Sequence, residues 1–147
     1  MTAVANETRT GRALVDEALF GSIANFVMQH DGEPLDRAER IADQAIAFVA
    51  TTATATASMM PSDDVDKGYH AFLLHTKAYA EFCNKHAGRF LHHNPAPAPV
   101  EGGRPLENVT TTAHAMKAAG FMVFDDLWTV SGINAAQCDS DDGRDYR

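Results

Sequence analysis

Long apolar runs are missing from this sequence: no window approaches the roughly eighteen apolar residues that a membrane-spanning helix needs. The opening residues, Met-Thr-Ala-Val-Ala-Asn-Glu, have neither the basic start nor the apolar stretch of a secretory leader. A soluble cytoplasmic protein is the expectation. Cysteine is scarce. Of the two, Cys83 falls in a helical pattern and Cys138 in a polar tail, so both read as reduced thiols and a disulfide framework is excluded. Positive charge is also short, with 12 Lys and Arg against 20 Asp and Glu and a formal charge of -8. The basic residues are scattered among the acidic ones, which argues against nucleic acid or an anionic membrane as partner. There is no glycine-rich phosphate loop followed by lysine, no cysteine pair at metal spacing and no convincing β segment, and dinucleotide-binding folds drop out with them.

What is present suits one globular domain: 147 residues, 45% of them apolar, can bury a single core. Residues 1–9 are polar and aperiodic and read as a flexible arm. Thr10 then caps a first helix to about Gln29, carried by Leu14, Ala18, Ile23, Phe26 and Val27, and Gly32 with Pro34 stops it. A second helix runs from Leu35 through Ile41, Ala45, Phe48 and Val49 toward Ala57, where Thr/Ala alternation blurs its end. Ser62 or Asp63 caps a third helix over residues 63–87, with Gly88 as its stop. Residues 89–94 read as extended, because Pro95, Pro97 and Pro99 follow in a stiff surface loop. Asn108 caps a fourth helix closed by Gly120, a short helix over residues 125–129 docks on the core, and residues 132–147 form a flexible acidic tail. The fold class is all-α: a single-domain helical bundle of about four main helices plus a short C-terminal one, over residues 10–131.

Five of the seven histidines fall between Asp66 and Pro95. Neutral imidazole is the commonest side-chain metal ligand, so this is the sharpest chemical feature of the chain. Asp66 and His70 stand one turn apart on one helix face, where the carboxylate can ligate beside the ring or orient it. His70 and His75 lie roughly 140° apart around a regular helix, so they reach one ion only if that helix is distorted. His92 and His93 sit in extended chain and point to opposite sides, so one of them can face a given site. If the chain turns back after Gly88, that one approaches His70. His75 and His86, on a stripe with Phe72, Tyr79 and Phe82, are more simply core histidines, and His30 and His114 are isolated. Cys83 reads as a packed small hydrophobe and Tyr79 as core or as a supporting donor.

The same stretch resembles the bacterial glycine-rich domain-containing protein-like family. Its signature is Val-Asp-x-x-Trp-His-x-His-x-Leu-(Asp or His)-Thr-x-x-Tyr-x-x-x-Cys, then Gly-x-Phe-(Leu or Ile)-His-His-x-Pro. Val65, Asp66, His70, Leu74, Thr76, Tyr79, Cys83, Gly88, Phe90, Leu91, His92, His93 and Pro95 match it, and Asp125 to Trp128 resembles the family's C-terminal element. The family's Trp-His-x-His is here Tyr69-His70-Ala71-Phe72, so its second histidine is lost, and His75 stands where Asp is common. The resemblance implies a helical fold and a histidine-centred site, with His75 a possible replacement ligand, and no substrate.

The expectation is a small helical metalloprotein, an enzyme of a specialised bacterial pathway. Its ligands would come from His70, His75, His92 and His93, with Asp66 and Tyr79 in catalytic support. Iron, copper and zinc all accept imidazole, and a small molecule or peptide would be the substrate. The alternative is a non-catalytic binding or scaffold module with structural histidines. A third reading makes the Cys138 tail a modification substrate.

Overall fold

Nine consecutive positions from Ile41 to Val49 are buried, Asp43 and Gln44 among them, so the helix that carries them is enclosed on every side. The computed structural model describes residues 8–55, 59–93 and 105–137. Within them five helices follow one another, α1 Glu17–Asp31, α2 Leu35–Thr52, α3 Asp63–Leu74, α4 Thr76–Ala87 and α5 Leu106–Ala118, and the fold is all-α as expected. The enclosed helix is α2, with α1, α3 and α5 packed around it. Among the described residues no helix is long and apolar enough to cross a membrane.

Small residues let α3 approach α2 closely. A Cβ on Gly68 would lie 2.8 Å from both the Ile41 carbonyl oxygen and the Ala45 Cβ, so only glycine fits there. Gly11 is pressed on α2 in the same way, its missing Cβ falling on the Asp43 carbonyl oxygen. The α2–α3 contact is clamped at its solvent edge by Glu33, which accepts from both Arg37 and Lys67 at 2.7 Å.

Several boundaries differ from the expectation, each for a local reason. Thr10 precedes a 3-10 turn, Arg12–Leu14, and accepts from the Ala13 N–H, while α1 starts later because Asp16 accepts from the Leu19 N–H at 2.8 Å. The second helix stops at Thr52 rather than Ala57: Thr51 and Thr52 donate back to the carbonyls of Ala47 and Val49. α5 begins at Leu106 behind Pro105, whose fixed φ of -60° suits a helix start, so Asn108 is not its cap.

The largest correction is at His75. The single helix expected over residues 63–87 is two, because the His75 ring Nδ1–H donates to the Ala71 carbonyl at 2.7 Å. That carbonyl would otherwise take the His75 backbone N–H, which turns instead to Phe72 O at 3.0 Å while the backbone swings to φ -86° and ψ 68°.

The C-terminal region is also more structured than read. Asp125–Leu127 is a 3-10 turn rather than an α-helix, and a hairpin follows it, with β1 Thr129–Val130 paired antiparallel to β2 Ile133–Asn134. Ser131 and Gly132 both have positive φ, 52° and 83°, as a two-residue turn matched to strand twist requires. Ala135 and Ala136 are buried beyond it, so the packed domain reaches past residue 131 into the expected tail. At the other end Arg9, placed in the flexible arm by sequence, exchanges backbone hydrogen bonds with Gly120 and Met122. The Pro95–Pro99 loop and Cys138 lie outside the described residues.

Candidate functional site

Asp66 and His70 enter the site from α3, Tyr79 and Cys83 from α4, and His93 from the chain that returns after Gly88. Ser62 caps α3 by accepting from the Val65 N–H, so Asp66 falls in its first turn, and His70 follows four residues on along the same face. At the far end of α4, Gly88 takes a left-handed φ of 71° and its N–H closes on the carbonyls of Cys83 and Asn84. The chain is thereby turned back beside α3.

The return segment is fixed by Tyr79. Its buried hydroxyl donates to the Leu91 carbonyl at 2.6 Å. In extended chain Leu91 and His93 share a side and His92 takes the other. His93 accordingly packs edge-on against Tyr69, ring centroids 4.9 Å apart, while His92 packs on Phe90 and is exposed. His93 Nε2 comes to 3.3 Å from His70 Nε2, and the same His70 nitrogen lies 3.2 Å from Asp66 Oδ2.

One nitrogen is therefore shared by two contacts. Asp66 is 7% exposed, whereas the His70 side chain is 52% exposed, so a shielded carboxylate backs a ring that solvent and solutes can reach. Among the described residues no group of three or more His, Cys, Asp or Glu side chains is placed so that it could hold a metal ion. Asp66, His70 and His93 form an open chain of contacts through His70 Nε2 rather than a closed cage.

Beneath the chain lies a phenol pair. Burial, then the hydrogen bond with Tyr69, pushes the Tyr79 hydroxyl far above the usual phenol range. Burial likewise pushes Tyr69 up, although its hydrogen bond with Tyr79 opposes this. Both phenols stay protonated at any ordinary pH, and Cys83, fully buried beside them, is packed as expected of a small hydrophobe. Tyr79 thus holds the Leu91–His93 segment in place, with its hydroxyl engaged inside the protein rather than turned to the histidines.

The structure places His75 elsewhere. Its Nδ1–H is given to Ala71, so Nε2 is the acceptor and Ser22 Oγ of α1 donates to it at 2.7 Å. Both nitrogens are engaged, and the helix break they create directs His75 to α1 instead of to His70. The His86 ring lies tilted against Phe82, with ring centroids 4.2 Å apart. The sequence reading missed Ser22, which no spacing rule could link to His75 across 53 residues. Tyr69, noted in the sequence only where the resembled signature has Trp, also belongs to the site, and its place beside His70 is the available signal.

Comparison with known proteins corrects the resemblance to the glycine-rich domain-containing protein-like family. Four of the thirteen positions that carried it have structural duties: Val65, Tyr79 and Cys83 are buried and Gly88 is the cap of α4. Their spacing reports a helix pair with a return segment. No curated protein and no solved structure matches the chain. The family model that does match covers residues 17–112, well over half of the sequence, and no activity is attached to it. The chain belongs to the UCP032817-like family.

Proposed function

We propose that this protein is a small helical metal-dependent enzyme whose ion is held by His70 and His93 with Asp66, at a site open to a small-molecule or peptide substrate. The observation that carries this is the shared nitrogen. Asp66 Oδ2, His70 Nε2 and His93 Nε2 are three basic atoms at successive separations of 3.2 and 3.3 Å, and a single proton can satisfy only one of the two contacts at a time. One cation satisfies both. Donors about 2.0–2.1 Å from a tetrahedral ion lie about 3.3 Å from each other, and two of the three donor pairs here stand at that spacing.

The donor set, two imidazoles and a carboxylate, is accepted by iron, copper and zinc. Closing the open chain around an ion takes a ring rotation of the exposed His70 and half-buried His93. When bound, the ion would supply a Lewis-acid or redox centre at the surface. Asp66 would ligate or hold the His70 ring, and Tyr69 and Tyr79 would keep His93 facing it.

Titration of the metal-free protein with Co(II), followed by visible absorbance, tests the reading. A 1:1 complex that is lost in His70→Ala and in His93→Ala, and kept in His92→Ala and His75→Ala, is expected. No complex, or one indifferent to His70 and His93, would leave the histidines structural and favour a non-catalytic binding module.

A further inference from the structure

Asp36, Glu39, Arg40 and Asp43 recur along α2 at helical spacing and share one face. Beside that face lies a cavity of about 390 Å³ whose other walls include Arg12, Phe20 and Phe124. Small-molecule sites run from about 300 to 1,000 Å³, so this one suits a compact ligand.

The charges decide which ligand. Arg12 is turned to Glu17 through a two-pronged pair at 2.6 and 3.0 Å, and Arg40 to Asp126 at 2.9 and 3.0 Å. Neither partner lines the cavity, so each guanidinium is turned to an acid outside it, although Arg12 also feels the charges of Glu39 and Asp43. Three carboxylates remain, and they descend into the protein: Asp36 is exposed, Glu39 half-buried and Asp43 only 6% exposed. The Asp43 carboxylate is fixed at the floor by the Arg12 N–H at 2.8 Å and by Gln44 Nε2 at 3.1 Å. Burial still pushes its carboxyl up, against the hydrogen bonds from Arg12, Gln44 and Gly11 and the charge of Arg12. The apolar walls suit a cation as well. Arg12 already lies over the Phe20 ring at 4.4 Å and Arg40 over Phe124 at 5.7 Å.

We propose that this cavity binds a small organic cation, an ammonium or guanidinium on a short apolar stem, its charge toward Asp43 and Glu39 and its stem against Phe20 and Phe124. An anion would meet the carboxylates, and a neutral ligand would strip water from them without replacing it. Among the described residues these carboxylates do not form a group that could hold a metal ion.

Titration of the full chain with benzylamine and with phenylguanidine, followed by amide chemical shifts, tests this, with benzoate and benzyl alcohol as controls. Saturable shifts at Phe20, Arg40, Asp43 and Phe124 with the two cations alone are expected, weakened tenfold or more in Asp43→Asn and in Glu39→Gln. Asp43 also holds the Arg12 turn, so if its variant fails to fold, Glu39→Gln decides. Absence of saturable shifts, equal binding of benzyl alcohol, or affinity unchanged in Glu39→Gln would overturn the proposal.

Discussion

The Gln44 side-chain oxygen accepts from the Trp128 indole N–H at 2.8 Å, inside the core and across 84 residues of sequence. The same oxygen accepts from the Phe124 N–H at 3.0 Å, and the amide nitrogen donates to Met122 O at 2.9 Å and to Asp43. Gln44 therefore pins residues 122–128 to α2. Gln44→Leu is expected to destabilise by about 3 kcal/mol or more, since it leaves buried donors unpaired at about 1–3 kcal/mol each. Urea unfolding of the two proteins checks it; a change below about 1 kcal/mol would refute the role.

Ser22 and His75 form a second long-range pair, tying α1 to the break between α3 and α4. Ser22→Ala and His75→Ala are each expected to cost about 1 kcal/mol, with a coupling of about 0.5–1 kcal/mol in the double variant. Strictly additive losses in the double-mutant cycle would mean that the hydrogen bond contributes nothing.

Two helix glycines should respond with opposite signs. In an open helix interior Gly→Ala gains about 0.5–1 kcal/mol, and Gly21 in α1 has nothing within 4 Å of a new Cβ. Gly68 faces backbone at 2.8 Å, where overpacking costs about 1–3 kcal/mol. Thermal unfolding should rise for Gly21→Ala and fall for Gly68→Ala. A stabilised Gly68→Ala would contradict the α2–α3 approach.

Stability near neutral pH should depend on His86. Its Nε2 is buried without a hydrogen-bond partner among the described residues, and burial, then Lys85 and Arg9, holds its pKa below the ordinary 6.5. As pH falls through about 6.5 the unfolded chain takes up a proton that the folded chain resists, so stability falls on acidification. His86→Leu should flatten this slope between about pH 7 and 5. An unchanged slope, measured by denaturant unfolding across that range, would exclude His86 as its source.

Much of the fold could be read from local chemistry. Gly32, Ser62, Gly88 and the Pro34 start all act where punctuation rules place them, because a cap is decided within a few residues. The break at His75 was hidden because the apolar stripe runs straight through it and the cause is one ring competing for one carbonyl. The hairpin was hidden because each strand is only two residues long. At the candidate site, alternation in extended chain limited the neighbour of His70 to one of His92 and His93. Choosing His93 needed the Tyr79–Leu91 hydrogen bond, a contact between α4 and the segment beyond it that no spacing encodes.

The most direct measurement is elemental analysis of protein purified without an affinity tag, beside His70→Ala and His93→Ala prepared identically. The proposed site predicts about one transition-metal ion per chain in the parent and a near-complete loss in both variants, with circular dichroism unchanged. Metal absent from all three, or retained in the variants, would contradict it.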